Sequence, residues 1–216
     1  MDWMREIDGY CERLGPGFWA EPVNALSNAG FVLAALVMAW RLRGQAVPLA
    51  RAMVAVLALI GLGSFLFHTF AQAWAALADI LPIAVFVLLY IYAVHRHVWA
   101  HGRGRSLVMV ALFLPYAALS VPLFRLLPGL GGSAVYAPVP LLIVIHALLL
   151  RPRAPATARG LALGAGLLIL SIALRSLDLP LCPVWPLGTH PAWHLLNALM
   201  LGWMIEVYRR HLAARG

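Results

Sequence analysis

Lysine is absent from this chain: all 16 of its basic residues are arginine, set against 8 acidic residues in 216. Charged residues make up 11% of the sequence and hydrophobic residues 63%, which is under half the charge usual for a soluble domain. That scarcity leaves no room for a sizeable soluble domain beside the apolar runs, several of which approach the ~20 residues a bilayer-spanning helix needs. Low-complexity tracts and an internal repeat are also missing. A cleavable signal peptide is not expected, because the opening MDWMREIDGYCER is acidic and polar and the first apolar run starts only after Glu21. The formal net charge of +8 does not point to nucleic acid. The arginines fall in short clusters between apolar runs, an orientation signal rather than a phosphate-binding stripe.

What is present is a succession of seven apolar segments, approximately 23–41, 51–70, 79–96, 106–124, 135–151, 158–175 and 191–208. They predict an all-α, polytopic membrane protein, a single seven-helix domain over 1–216 with residues 1–22 as an outer N-terminal segment. The join between the second and third segments, AQAWAALA, is barely polar, and Pro138 and Pro140 should kink or delay the start of the fifth. Three arginines follow each of segments 1, 3, 5 and 7, whereas the other side holds only Arg5, Arg13, Arg125 and Arg175. The positive-inside bias puts the N-terminus outside and the C-terminus in the cytoplasm. Every acid except Glu206 then falls on the outer side, as do both cysteines, Cys11 and Cys182. An oxidising compartment permits a disulfide between them, with two free thiols as the alternative.

Ionisable residues inside spans are costly and mark functional sites. His68 lies at the outer end of segment 2, Asp79 opens segment 3, and His190 and His194 open segment 7. The last two are one helical turn apart and share a face, with Pro191 suited to the first helical position. Three histidines from helices of one outer layer form a donor set for catalytic zinc. The pair H-x-x-x-H lacks the glutamate of the H-E-x-x-H motif, so Asp79 is the acid placed to move protons. Ser64, four residues before His68, could donate to an oxyanion. Taken singly, each of these is more ordinary: a lone His68 is a hydrogen-bonded helix residue, and H-x-x-x-H arises often by chance. Their convergence on one leaflet favours the metal. His95, His97 and His101 read as a solvated cluster facing lipid headgroups, and His146 as a packing residue.

The ordered set S-x-x-x-H (Ser64, His68), D-I-L-P (Asp79) and C-terminal H-x-x-x-H (His190, His194), together with the opening YCERLGPGFWAEPVNALSN, resembles the alkaline ceramidase family. That family belongs with the adiponectin-type receptors to a group of seven-helix membrane hydrolases. The resemblance implies that His68, His190 and His194 bind zinc, that Asp79 acts as base and then acid, and that Ser64 stabilises the oxyanion. It maps the family's disulfide onto Cys11 and Cys182, and its calcium site onto Glu12 and Glu21, with Asp8 one position displaced and Tyr10 standing where a tryptophan is usual. It implies hydrolysis of the amide of ceramide, or of a related N-acyl lipid, to a fatty acid and an amine. The lysine-free, Ala/Leu/Arg-rich composition suggests a bacterial inner membrane with the active site towards the periplasm.

A non-catalytic receptor or sensor with structural zinc is the alternative, although the short loops and the few residues after Tyr208 favour an enzyme. A transporter would need polar groups at the midplane and repeated halves, neither of which the sequence displays. In this reading Gly61, Gly63 and Ser64 permit close helix packing rather than line a pore.

Overall fold

The computed structural model describes residues 2–215. Its elements are α1 (Pro22–Ser27), α2 (Ala29–Arg41), α3 (Pro48–Phe70), α4 (Ala73–Ala93), a π-helical turn (Val94–Val98), α5 (Arg103–Arg125), a 3-10 turn (Gly131–Tyr136), α6 (Pro138–Leu150), α7 (Pro155–Leu181) and α8 (His190–Ala213). No strand occurs among the described residues. The helices α1 and α2 form one rod, stepped at Asn28, whose side-chain amide donates to the Asn24 carbonyl at 2.8 Å. Prolines begin α1, α3, α6 and α7, where a missing N–H costs nothing.

Six helical stretches are long and apolar enough to cross a membrane: Pro22–Arg41, Pro48–Phe70, Ala73–Val98, Arg103–Arg125, Gly131–Leu150 and Pro155–Leu181. The seventh rod, α8, spans 24 residues but is less apolar. It packs against the α1/α2 rod, α3 and α7, and buries His190, His194, Asn197, Glu206 and His211. A helix screened by neighbours on several sides need not be greasy all round. By contrast α5 is peripheral: Ser106 is its one buried residue, and Leu107, Leu112, Leu119 and Leu123 are outward-facing. Such a belt of exposed leucines suits lipid rather than water.

At one end of the bundle the N-terminal segment crosses the α3–α4 turn. Ile7 donates its N–H to the Ala71 carbonyl at 2.7 Å and Ala73 donates to the Arg5 carbonyl at 3.0 Å. Ala71 takes the left-handed conformation that closes α3 (φ 48°). Because this two-residue turn is completed by residues far away in sequence, AQAWAALA carries little turn signal of its own. Most of it is helix, and Asp79 does not open its segment but lies six residues into α4, about 1.7 turns.

The other end holds the arginine clusters. Glu206, the single acid there, accepts hydrogen bonds from Arg41 (2.8 Å), Arg209 (2.7 Å) and Arg210 (2.7 Å). The expected solvated histidine cluster is only partly that. His95 is buried and its ring nitrogens lie 3.3 Å from both His101 and His146, while His97 bonds the Tyr208 hydroxyl. A π turn at Val94–Val98 rotates His95 into the bundle, which helical periodicity cannot anticipate. His146 is therefore a partner of His95 and not only a packing residue.

Candidate active site

The histidines at 68, 190 and 194 are each about 99% buried. One nitrogen from each lies within 4.8 Å of the others, and among the described residues this is the cluster that could hold a metal ion. Two helices supply them. His68 sits in the last turn of α3, and α8 presents His190 and His194 from its first two turns.

The start of α8 is fixed by Asp178 at the end of α7. Its Oδ1 accepts the backbone N–H groups of Thr189 (2.8 Å) and His190 (2.9 Å), and its Oδ2 accepts that of Cys11 (3.0 Å). A carboxylate on orphan N–H groups at a helix start serves as a cap and complements the helix dipole. Gly188 makes the approach feasible: it adopts φ +65°, and a Cβ there would meet the Cys11 Cβ at 2.8 Å. Cys11 and Cys182 are joined in a disulfide, so the N-terminal segment is tied to the loop that leads into α8.

Two of the three histidines, His68 and His194, have the outer nitrogen occupied. His68 Nδ1 lies 2.6 Å from Glu21 Oε2. His194 Nδ1 lies 2.7 Å from Ser27 Oγ, whose hydroxyl already donates to the Asn24 carbonyl at 2.7 Å. An ionised carboxylate only accepts, and a hydroxyl that has spent its hydrogen can only accept. Both Nδ1 atoms must therefore carry the proton, which leaves both Nε2 atoms bare in the neutral rings. Those two Nε2 atoms stand 3.1 Å apart. Facing lone pairs at that separation repel unless a proton or a metal ion lies against both. His190 Nδ1, buried with no hydrogen-bond partner, adds a third nitrogen ready for a ligand bond. The donor set, with its outer nitrogens anchored to a carboxylate and a hydroxyl, fits a metal centre.

Glu21 is held in place by Arg13, which pairs with its other oxygen, and by Asn24 Nδ2 at 3.0 Å. Burial alone would raise the Glu21 carboxyl, but the bonds from His68, Arg13 and Asn24 outweigh it and hold the group below its ordinary range. Arg13 also donates to the carbonyls of Gly15 (2.9 Å) and His68 (3.0 Å).

These contacts bear on calcium. The carboxylates of Asp8, Glu12 and Glu21 do not converge: Asp8 is exposed, and Glu12 spends both oxygens on the Val23 and Asn24 N–H groups at 2.7 Å each. Glu21 is taken by His68 and Arg13. The cation beside Glu21 is a guanidinium belonging to the chain, and the calcium set expected from the resemblance is not assembled.

Ser64 Oγ lies 3.5 Å from His194 Nε2, and Ser64 and Asp79 line one cavity with His190 and His194. Close approach of α3 and α4 brings them together. At Gly63 a Cβ would collide with the Ala78 carbonyl and stand 3.2 Å from the Asp79 Cα, so the backbone of α4 rests directly on α3 beside Ser64. From this polar end the cavity runs into an apolar interior past Ile83, Phe86 and Ile91 on α4, Leu142 on α6, Leu168 on α7 and Met204 on α8. The lining from α6, α7 and α8 is joined by a large contribution from α4. Along α8, His194 to Met204 covers ~15 Å.

Sequence reasoning gave no role to Ser27, Arg13, Asp178 or Arg175. Ser27, Asp178 and Arg175 act through side-chain or backbone partners more than ten residues away, Arg13 through Glu21 eight residues on and the His68 carbonyl, and only the Ser-Asn of NALSN was visible as a pattern.

The sequence model of the ceramidase family matches residues 10–211. A search of curated proteins gives no significant match.

Proposed function

The chain belongs to the ceramidase family, and from that premise we propose that it is a zinc-dependent lipid amide hydrolase embedded in the membrane. The observation that carries this reading is the pair of bare Nε2 atoms of His68 and His194, 3.1 Å apart, with His190 completing a buried three-nitrogen set. Nitrogen-only ligation with no thiolate suits zinc. Bound there, zinc supplies a Lewis acid that makes water nucleophilic near neutral pH.

The chain's own residues would do the rest. The acyl chain of the substrate lies along the apolar cavity and the amide at its polar end. Asp79 takes one proton from the attacking water and delivers it to the leaving nitrogen. The water oxygen bonds to the carbonyl carbon, the C–N bond breaks, and a fatty acid and an amine depart. Ser64 donates its hydroxyl to the carbonyl oxygen as charge develops there. Glu21 and Ser27 keep the imidazoles of His68 and His194 in the tautomer that presents Nε2 inwards. The substrate is ceramide or a related N-acyl lipid.

In this reading α8 is a seventh span, since 24 residues reach ~36 Å against a hydrocarbon core of ~30 Å. The arginine-rich end lies in the cytoplasm, and the metal centre faces the outer side, the periplasm if the cell is bacterial. A disulfide at that end suits an oxidising compartment.

The test is elemental analysis of detergent-purified wild type and His194→Ala, with fatty-acid release from a panel of N-acyl lipids measured on the same samples. About one zinc per chain, lost in the variant together with release, is the expected result. Zinc without turnover on any amide would turn the reading to a non-catalytic lipid receptor, and folded wild type without metal would end it.

A further inference from the structure

The cavity contains one cation. Arg175 is the single arginine in its lining, and Asp79 the single carboxylate. Arg175 lies on α7 one turn before Asp178, the residue that caps α8 at His190, so it is level with the polar end and not with the apolar depth. Its guanidinium stands 5.9 Å from the Tyr10 ring centre, 5.3 Å from Tyr136 and 5.7 Å from Trp193. Tyr10 in turn stacks on His190 at 3.8 Å, and Trp193 immediately precedes His194. Two short contacts thus connect the guanidinium to the metal-binding rings.

This cation is in ion-pair contact with no carboxylate, and Asp79 acts on it only from across the cavity. No carboxylate oxygen lies within 4.0 Å of it among the described residues. It donates to Ser133 Oγ at 2.9 Å and to the Tyr10 hydroxyl at 3.4 Å, and its remaining N–H donors have no acceptor among the described residues. Of the other buried or half-buried arginines, Arg13 pairs with Glu21 and Arg209 with Glu206, while Arg96, at the arginine-rich end and away from this cavity, donates to the His101 carbonyl. A charge inside a membrane protein is costly unless paired, and an unpaired one marks a ligand site by default. Aromatic faces offset part of that cost, and they also leave the planar fork of donors free for a bidentate acid.

Resting on the amide-hydrolase reading, we propose that Arg175 is the receptor for an anionic group carried on the amine side of the substrate, a carboxylate or a phosphate. The natural substrate class is then an acidic N-acyl lipid and not a neutral ceramide. The amine side is indicated because the opposite, acyl side of the cavity is lined by Phe86, Ile91, Leu168 and Met204, which offer nothing to an anion. With the amide at the histidines and the acyl chain among those residues, the remaining part of the substrate reaches the Arg175, Tyr10 and Tyr136 end. Ser133 and Tyr136, both on the 3-10 turn Gly131–Tyr136, hold the guanidinium through a hydrogen bond and an aromatic face.

The test uses purified, zinc-loaded full-length protein and three substrates with one acyl chain: N-lauroylglycine, N-lauroyl-phosphoethanolamine and N-lauroylethanolamine. Fatty-acid release gives kcat/KM for each, and a competition assay against a fluorescent fatty amide gives the affinity of each independently of turnover. Wild type should favour at least one acid over the neutral amide by about tenfold or more in both readouts. The better of the two acids separates carboxylate from phosphate. Arg175→Gln should bring the ratio to about one, and Arg175→Lys should restore part of it. A wild-type ratio near one, or a ratio that Arg175→Gln leaves unchanged, overturns the anion receptor while release continues to support the hydrolase. Selective binding of the acids without release from any amide keeps the receptor role of Arg175 and removes the hydrolase. Binding and release both absent from all three, in folded zinc-loaded protein, overturns the acidic-lipid assignment.

Discussion

Glu21 accepts the Nδ1 proton of His68 at 2.6 Å, and that single bond links the N-terminal segment to the three-histidine cluster. A carboxylate behind a ligating imidazole fixes its tautomer and raises its basicity, and loss of such a partner commonly costs ten- to a hundredfold in metal affinity. Glu21→Gln should lower zinc affinity by about tenfold and Glu21→Leu by about a hundredfold, read from competition with a chelator of known strength. Wild-type affinity in both would show that His68 needs no support from behind.

Arg13 supplies the positive charge on the other side of Glu21, with both side chains at most 4% exposed. Removing one partner of a buried ion pair costs about 3–5 kcal/mol, because the other charge is left without compensation. Arg13→Gln should therefore lower the melting temperature by several degrees, whereas calcium, or a calcium-selective chelator, should leave wild type unmoved. A calcium-dependent rise in the wild-type melting temperature would show a site that the Arg13–Glu21 pair does not pre-empt.

Asp178 joins three parts of the chain through one carboxylate. In Asp178→Asn the oxygen can still cap Thr189 and His190, but an amide N–H would then confront the N–H of Cys11. That leaves a buried donor unsatisfied, at about 1–3 kcal/mol. Asp178→Ala, which also removes the cap, should cost more and should weaken zinc retention, since His190 and His194 ride on the first turns of α8. Circular dichroism melts and zinc content on the two variants separate these effects, and equal losses would mean that the cap contributes nothing.

The disulfide between Cys11 and Cys182 closes a loop of 171 residues. Replacing both cysteines by serine should destabilise the fold by about 2–5 kcal/mol. The N-terminal segment bears Tyr10, Arg13 and Glu21, so zinc retention should fall with it. A double variant that melts like wild type would place the anchoring of this segment in its hydrogen bonds alone.

The helices and the clustering of the three histidines were legible because each leaves a local mark. Long apolar runs between arginine clusters mark helices, and His68, Asp79, His190 and His194 stand out in a sequence with so few polar residues. What stayed hidden depends on distant partners. The true start of α4 is set by residues 5–7 pairing with the turn at 71–73. The inward rotation of His95 comes from a π turn. Arg13 looked like one more outer arginine, and only its contact with Glu21 shows what it does. Arg175 looked like one of four stray outer arginines, because an unpaired cation is recognisable only once every nearby acid has been located.

Asp79 and Ser64 face one cavity because Gly63 lets the two helices touch, and this gives two variants with different expected signatures. Asp79→Asn keeps the shape of the side chain and removes its ability to take up a proton. It should retain zinc and thermal stability while fatty-acid release falls by about 10²–10⁴-fold. Gly63→Ala adds a methyl group where the Ala78 carbonyl lies, which must push α4 outwards at about 1–3 kcal/mol. The three-histidine cluster is built on α3 and α8 alone, so zinc bound there should stay bound. Asp79 would stand further from the carbonyl carbon, and the pH–rate profile should keep its shape at lower height. If Asp79→Asn remained fully active, the proton must travel by another group, and the proximity that Gly63 secures would concern packing only.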